Sequence, residues 1–292
     1  MKDIPNFLEV GEVFQDYKLC WTIALNADTN TSISSTADWT GGLVRIVSPR
    51  SLESVRVNAD VVLLRHHKQV PHIGQLYSWD CGLACVSMVL RTLGIEHHDI
   101  HVLADICNTK SIWTVDLAYL LQKFSVRFAF FTITLGANPN FSMETFYKEQ
   151  LPSDVGRVDT LFQKAVEAGI NIQCRSFNGE ELSVLISSGK FIAIALVDQY
   201  KLSRSWMADV FVSGLYGGSS GYTGHYVVIC GYDPVENEFE IRDPASSRKH
   251  VKISLNCLEE ARKSFGTDED LLLVILCFLQ SAYCFNNIAR KN

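Results

Sequence analysis

The segment Gln75-Leu76-Tyr77-Ser78-Trp79-Asp80-Cys81-Gly82 decides how this chain is read. Pro71 and Gly74 break the chain ahead of it, and the apolar run Cys81 to Leu93 that follows it stops at Gly94. Glycine there suits the left-handed position just past a helix, so the spacing predicts a helix beginning near Asp80 with Cys81 at its start. A thiol is a useful nucleophile only as thiolate, and the free N–H groups and dipole of a helix N-terminus favour negative charge. Gln75 stands six residues ahead of that thiol. Its side-chain amide and the backbone N–H of Cys81 are the candidate donors to an oxyanion forming at the carbon under attack.

A thiol nucleophile needs a base, and the best placed of the eight histidines is His225, in Gly224-His225-Tyr-Val-Val-Ile. It opens the strand pattern Tyr226 to Tyr232, which a turn at Asp233 to Asn237 joins to Phe239 to Arg242, so the pair reads as a hairpin. Centred near Pro234, that hairpin sets residue 225 opposite residue 243. Asp243 is then the candidate carboxylate that orients the imidazole and supports its protonated form.

Outward from these residues, helices are expected at His98 to Ile106, Val115 to Phe124, Val158 to Ala168 and Glu180 to Ser187. Strands are expected at Val61 to Arg65, Val126 to Thr134, Ile170 to Arg175 and Phe191 to Val197, with a last helix, Leu255 to Phe265, and a strand from Leu271. Helices early and a hairpin late indicate an α+β fold, an N-terminal helical part followed by a C-terminal antiparallel sheet. Residues 27 to 42 are small and polar without periodicity, which marks 1–56 as a partly flexible extension, 57–285 as the domain and 286–292 as a tail.

Composition narrows the partners. A formal charge of −6 offers no basic footprint, so neither nucleic acid nor an anionic membrane is the expected partner, and a peptide or small-molecule substrate is. Met1 to Gly11 lacks the apolar core of a signal peptide, and nine scattered cysteines suit reduced thiols, so the chain is expected to be soluble and cytoplasmic or nuclear. His97, His101 and Cys107 lack a second paired ligand motif and read as a solvated helix start rather than a metal site. The glycines from Gly214 to Gly224 precede a strand and lack the lysine of a phosphate-binding loop, so they read as a flap over the site.

The segment Val70 to Leu90 resembles the glutamine and cysteine boxes of the bacteriocin-leader peptidases, a papain-like family. His225-Tyr-Val-Val and Asp243-Pro-Ala resemble that family's histidine and aspartate boxes, in the same order. Over nearly the whole chain, from about Val57 to Ile275, the sequence is similar to the eukaryotic soluble guanylyl cyclase-like family. The similarity is carried by Ser111-Ile-Trp-Thr-Val-Asp-Leu-Ala, Tyr222-Thr-Gly-His-Tyr-Val-Val-Ile-Cys-Gly-Tyr and Phe265-Gly-Thr-Asp-Glu-Asp. The first resemblance implies a papain-like fold and thiol catalysis by Gln75, Cys81, His225 and Asp243 without a cofactor. The second implies conversion of GTP to cyclic GMP with Mg or Mn. Cyclase chemistry asks for carboxylates on a divalent metal, and Asp116, Asp198 and Asp268 to Asp270 do not assemble into a metal pair by spacing. A thiol hydrolase or peptidase is therefore the first expectation, a guanylyl cyclase the second, and a catalytically silent binding module the third.

Overall fold

The structure, a computed structural model, describes residues 69–96, 98–207 and 222–276, all within one unit that spans 53–292. The extension 1–56, the strand at Val61 to Arg65, His97, the glycines Gly214 to Gly221 and the tail 286–292 lie outside the described residues.

The chain opens with α1 (Cys81–Thr92), α2 (Ile100–Cys107) and α3 (Thr114–Lys123), followed by β1 (Phe128–Thr132). A 3-10 turn (Pro139–Met143) leads to α4 (Thr145–Lys148) and α5 (Leu151–Lys164), then β2 (Ile172–Cys174), α6 (Gly179–Ser187), β3 (Phe191–Asp198) and α7 (Gln199–Met207). The last third holds β4 (Gly224–Asp233), β5 (Glu238–Arg242), β6 (Val251–Ser254), α8 (Leu255–Arg262) and β7 (Leu271–Ile275). The seven strands form one sheet in the order β2-β1-β7-β3-β4-β5-β6. This is the α+β class expected. The sheet is antiparallel except at one edge, where β1 and β2 run parallel with Phe130 opposite Ile172.

Alternation along the central strands gives the sheet two buried faces. Ile192, Ile194 and Leu196 of β3, with Tyr226 and Val228 of β4, join the core built by Leu83, Val86, Val89 and Leu90 of α1 and by Leu117 and Leu121 of α3. Their neighbours Ala193, Ala195, Val197, Val227 and Ile229 are equally buried on the opposite face, where α6 and α8 pack on β3 and β4. The expected strand from Leu271 is β7, Leu271–Ile275, buried between β1 and β3. Among the described residues no helix is long and apolar enough to cross a membrane.

One contact sets the height of α1 over the sheet. A Cβ at Gly82 would stand 2.9 Å from Leu117 and 3.0 Å from Tyr226, so only glycine lets the first turn of α1 come this close to β4. That approach brings Cys81 to the strand that carries His225.

Candidate active site

Cys81 is the first residue of α1 and only 6% exposed. Asp80, the N-cap residue, makes no side-chain cap bond. Its fully buried carboxylate instead accepts the N–H groups of Leu76 and Tyr77, each at 3.1 Å from Oδ1, and so folds the loop from Gln75 back toward the thiol. The first-turn N–H groups of α1 are thereby left uncapped beside Cys81, where a helix N-terminus supports negative charge.

His225 and Asp243 meet as expected, by a different register. The ladder between β4 and β5 sets Asp233 opposite Glu238 and Tyr232 opposite Phe239, which corrects the expected centre near Pro234. Continued unchanged, it would place Asp243 opposite Val228, on the other side of the sheet from His225. The register shifts between Ile229 and Gly231, so Ile229 faces Ile241 and Val228 faces Arg242. This bulge, absorbed at Cys230, puts the position opposite Asp243 at Val227 and makes His225 its diagonal neighbour on the same face. The partner directly across from His225 is Val197 of β3.

His225 Nε2 lies 2.7 Å from Asp243 Oδ1, with both side chains about 95% buried. Burial opposes the imidazolium, but the hydrogen bonds to Asp243 and Cys81, with the charges of both, raise the ring from 6.5 to about 9. Burial likewise pushes the Asp243 carboxyl up. The hydrogen bond and charge of His225, the N–H of Ala245 at 2.8 Å and the nearby His72 outweigh it and hold Asp243 below the usual carboxylate range. With Nε2 engaged by Asp243, Nδ1 is the ring nitrogen left for the thiol.

Gln75 is clipped to the aspartate segment. Its backbone N–H donates to Pro244 O at 2.9 Å, His72 Nε2 lies 3.0 Å from Asp243 O, and Arg242 Nε donates to Val70 O at 2.9 Å. The Gln75 amide donates one N–H to Tyr77 O at 2.9 Å, and its Oε1 is buried without a partner. All four expected site residues thus fall in one region of the fold.

Two contributors were missed from sequence, and a third was weighed only as a metal carboxylate. Asp80 shapes the loop and Arg242 holds its start; the only cue for either was its place beside Cys81 and Asp243. The third is Asp270, within the Phe265-Gly-Thr-Asp-Glu-Asp motif. Its carboxyl is buried, with Oδ1 lacking a hydrogen-bond partner, and is pushed up to about 8 by burial and by Asp268. Thr114 Oγ1 lies 2.9 Å from the hydroxyl of Tyr226, the residue after His225.

Two of the carboxylates considered for a metal are occupied otherwise. Asp116 pairs with Arg157 and accepts the N–H of Trp113 at 2.8 Å, and Asp198 accepts the N–H of Tyr200 at 3.0 Å. Among the described residues no three His, Cys, Asp or Glu side chains gather as a metal-ligand set.

The family described as Guanylylate cyclase matches residues 70–274. Guanylyl cyclase 1 of Arabidopsis thaliana is 68% identical over 210 residues, 72% of this chain and 77% of that one. Among solved structures, the peptidase domain of Streptococcus ComA, a bifunctional ABC transporter of a quorum-sensing pathway, is 12% identical with a TM-score of 0.37, covering 71% of this chain and 98% of its own. A chain described as a C39-like peptidase from Bacillus anthracis is 17% identical with a TM-score of 0.38, covering 71% and 95%.

Proposed function

This chain belongs to the guanylylate cyclase family, and from that premise and the geometry of its buried triad we propose that it is a papain-like thiol hydrolase. The observation that carries the reading is the 2.7 Å bond between His225 and Asp243, with Cys81 among the groups that raise the same ring.

Each residue then has a task. Asp243, held ionised, fixes the imidazole through Nε2 and stabilises its protonated form. The imidazolium partners the Cys81 thiolate, which attacks a carbonyl carbon to form a carbon–sulfur bond. The oxyanion is met by the N–H of Cys81 and the second N–H of the Gln75 amide. Collapse expels the leaving group, which takes its proton from His225. Water, deprotonated by the same ring, attacks the thioester and frees the thiol. A peptide or small ester or amide is the substrate class, and no cofactor enters any step.

The family name and the Arabidopsis relative favour a second reading, conversion of GTP to cyclic GMP with Mg or Mn. The described residues offer no ligand set for such a metal, so no step is assigned to it. One substitution separates the readings. Cys81→Ala abolishes hydrolysis of an ester or peptide probe if the thiol is the nucleophile; metal-dependent cyclic GMP formation that survives the substitution overturns the proposal. A chain that shows neither activity is a silent binding module.

A further inference from the structure

The loop that leads into the thiol presents apolar side chains to solvent although it is firmly held. Leu76 and Tyr77 are 52% and 55% exposed, while their backbone N–H groups are fixed by the buried carboxylate of Asp80. Tyr77 lies parallel to Trp79, with ring centroids 5.9 Å apart and planes within 5°. Between Val70 and Leu83 the charged or imidazole side chains are His72 and Asp80, and both are engaged with the chain's own backbone.

The histidine side is similar. Phe146 of α4 is 48% exposed and packs on Gly224, the residue before His225, where a Cβ would stand 3.0 Å from its ring. Its ring is braced edge-on by Tyr147 and Tyr222, at 5.0 and 5.7 Å. Aromatic surface therefore flanks the nucleophile and the base alike. A charged substrate group laid on such surface loses water without gaining a partner, whereas an apolar one gains by burial.

We infer that the site selects substrates with a bulky apolar or aromatic side chain beside the scissile bond, received by Leu76 and Tyr77 on the thiol side and by Phe146 on the imidazole side. This specificity rests on the thiol-hydrolase reading above.

The test compares two alkylating probes on the full chain, each forming a bond to Cys81 Sγ with loss of chloride: a phenylalanyl chloromethyl ketone and its seryl counterpart. Iodoacetamide serves as a measure of the thiol itself. The phenylalanyl probe should label Cys81 about tenfold faster or more than the seryl probe, the scale of discrimination an apolar pocket supplies. Leu76→Ser combined with Tyr77→Ser should bring that ratio toward one, Tyr77→Phe should keep it, and Phe146→Ser should lower it. Equal rates for the two ketones, with Cys81 still labelled by iodoacetamide, overturn the specificity alone. Failure of all three reagents at Cys81 overturns the thiol reading, and the specificity with it.

Discussion

Arg242 Nε donates to the carbonyl oxygen of Val70 at 2.9 Å, and this bond holds the start of the glutamine segment beside the strand that ends at Asp243. The guanidinium is 4% exposed and is steadied by Glu240, which His250 also approaches. Arg242→Met deletes the donor and leaves the Val70 carbonyl without it, a cost of about 1–3 kcal/mol in stability. Because Gln75, the proposed oxyanion donor, lies five residues along the same segment, hydrolysis by the folded variant should show a lowered kcat with KM little changed. Urea titration and steady-state kinetics measure the two effects, and a variant with unaltered kcat removes Arg242 from the positioning of Gln75.

Cys81→Ala should keep the fold, since alanine is a good helix former and nearly fills the space of the thiol, while hydrolysis falls by about three orders of magnitude or more. Circular dichroism and turnover of an ester probe, read on the same preparation, check both halves.

Iodoacetamide at pH 6 should modify Cys81 before Cys85, Cys107 or Cys230. Burial and the neighbouring Cys81 and Asp243 raise Cys85 well above an ordinary thiol, and burial brings both Cys107 and Cys230 to about 12. Peptide mapping by mass spectrometry gives the order. Modification of Cys85 or Cys230 first would contradict the assignment of the nucleophile.

The pH profile should report the His225–Asp243 pair. A ring raised to about 9 adds stability that is complete below its ordinary 6.5 and fades as pH climbs through 9, and hydrolysis should decline over the same alkaline window. Asp243, lowered when folded, adds stability that is present above the usual carboxylate value and lost as acid reaches its depressed one. Asp243→Asn keeps an oxygen for Nε2 but removes the charge, so the alkaline limb should move to lower pH. Asp243→Ala removes both and should cost about 10²–10⁴ in rate. An alkaline limb that stays put in the asparagine variant would show that the charge does not set it.

Asp270 carries the opposite sign for a carboxyl. Raised to about 8 by burial, it keeps a proton that the unfolded chain releases, so its contribution is complete below about 3.8 and is lost as pH rises toward 8. Asp270→Asn removes that titration while keeping the side chain's shape. The Tm of the variant should gain on the native chain steadily between pH 4 and pH 8, as differential scanning calorimetry would register. A constant difference across that range would mean that Asp270 is ionised in the fold.

The four site residues were legible because each sits at a local signal: a chain break before an apolar helix for Gln75 and Cys81, a strand start for His225, and the end of a hairpin for Asp243. Their meeting was legible, but its register was not, because an unbroken apolar string such as Tyr226-Val-Val-Ile-Cys has no polar alternation whose phase a bulge would shift. The strand Val251–Ser254 escaped notice at four residues, too short to show a period, and Gln199–Met207 is too polar to announce a helix. Helix α5 begins at Leu151, seven residues before the expected start, because Pro152 at its first turn was passed over as a helix opener. Asp80 and Arg242 could not be singled out, since their roles depend on backbone groups that only folding brings within reach.

The bulge between Ile229 and Gly231 also sorts where this hairpin can change in length. A ladder straightened there, with Cys230 drawn into a rung opposite Ile241, would keep every rung paired yet set Asp243 opposite Val228 and deliver its carboxylate to the far side of the sheet, a catalytic defect in a chain that still folds. Extra residues in the turn between Asp233 and Glu238 fall beyond the last rung and leave the pairing of His225 and Asp243 as it is. The turn is thus the part of this hairpin open to insertion, a natural place to splice in a tag or a reporter, and the bulge is the part where counting is strict.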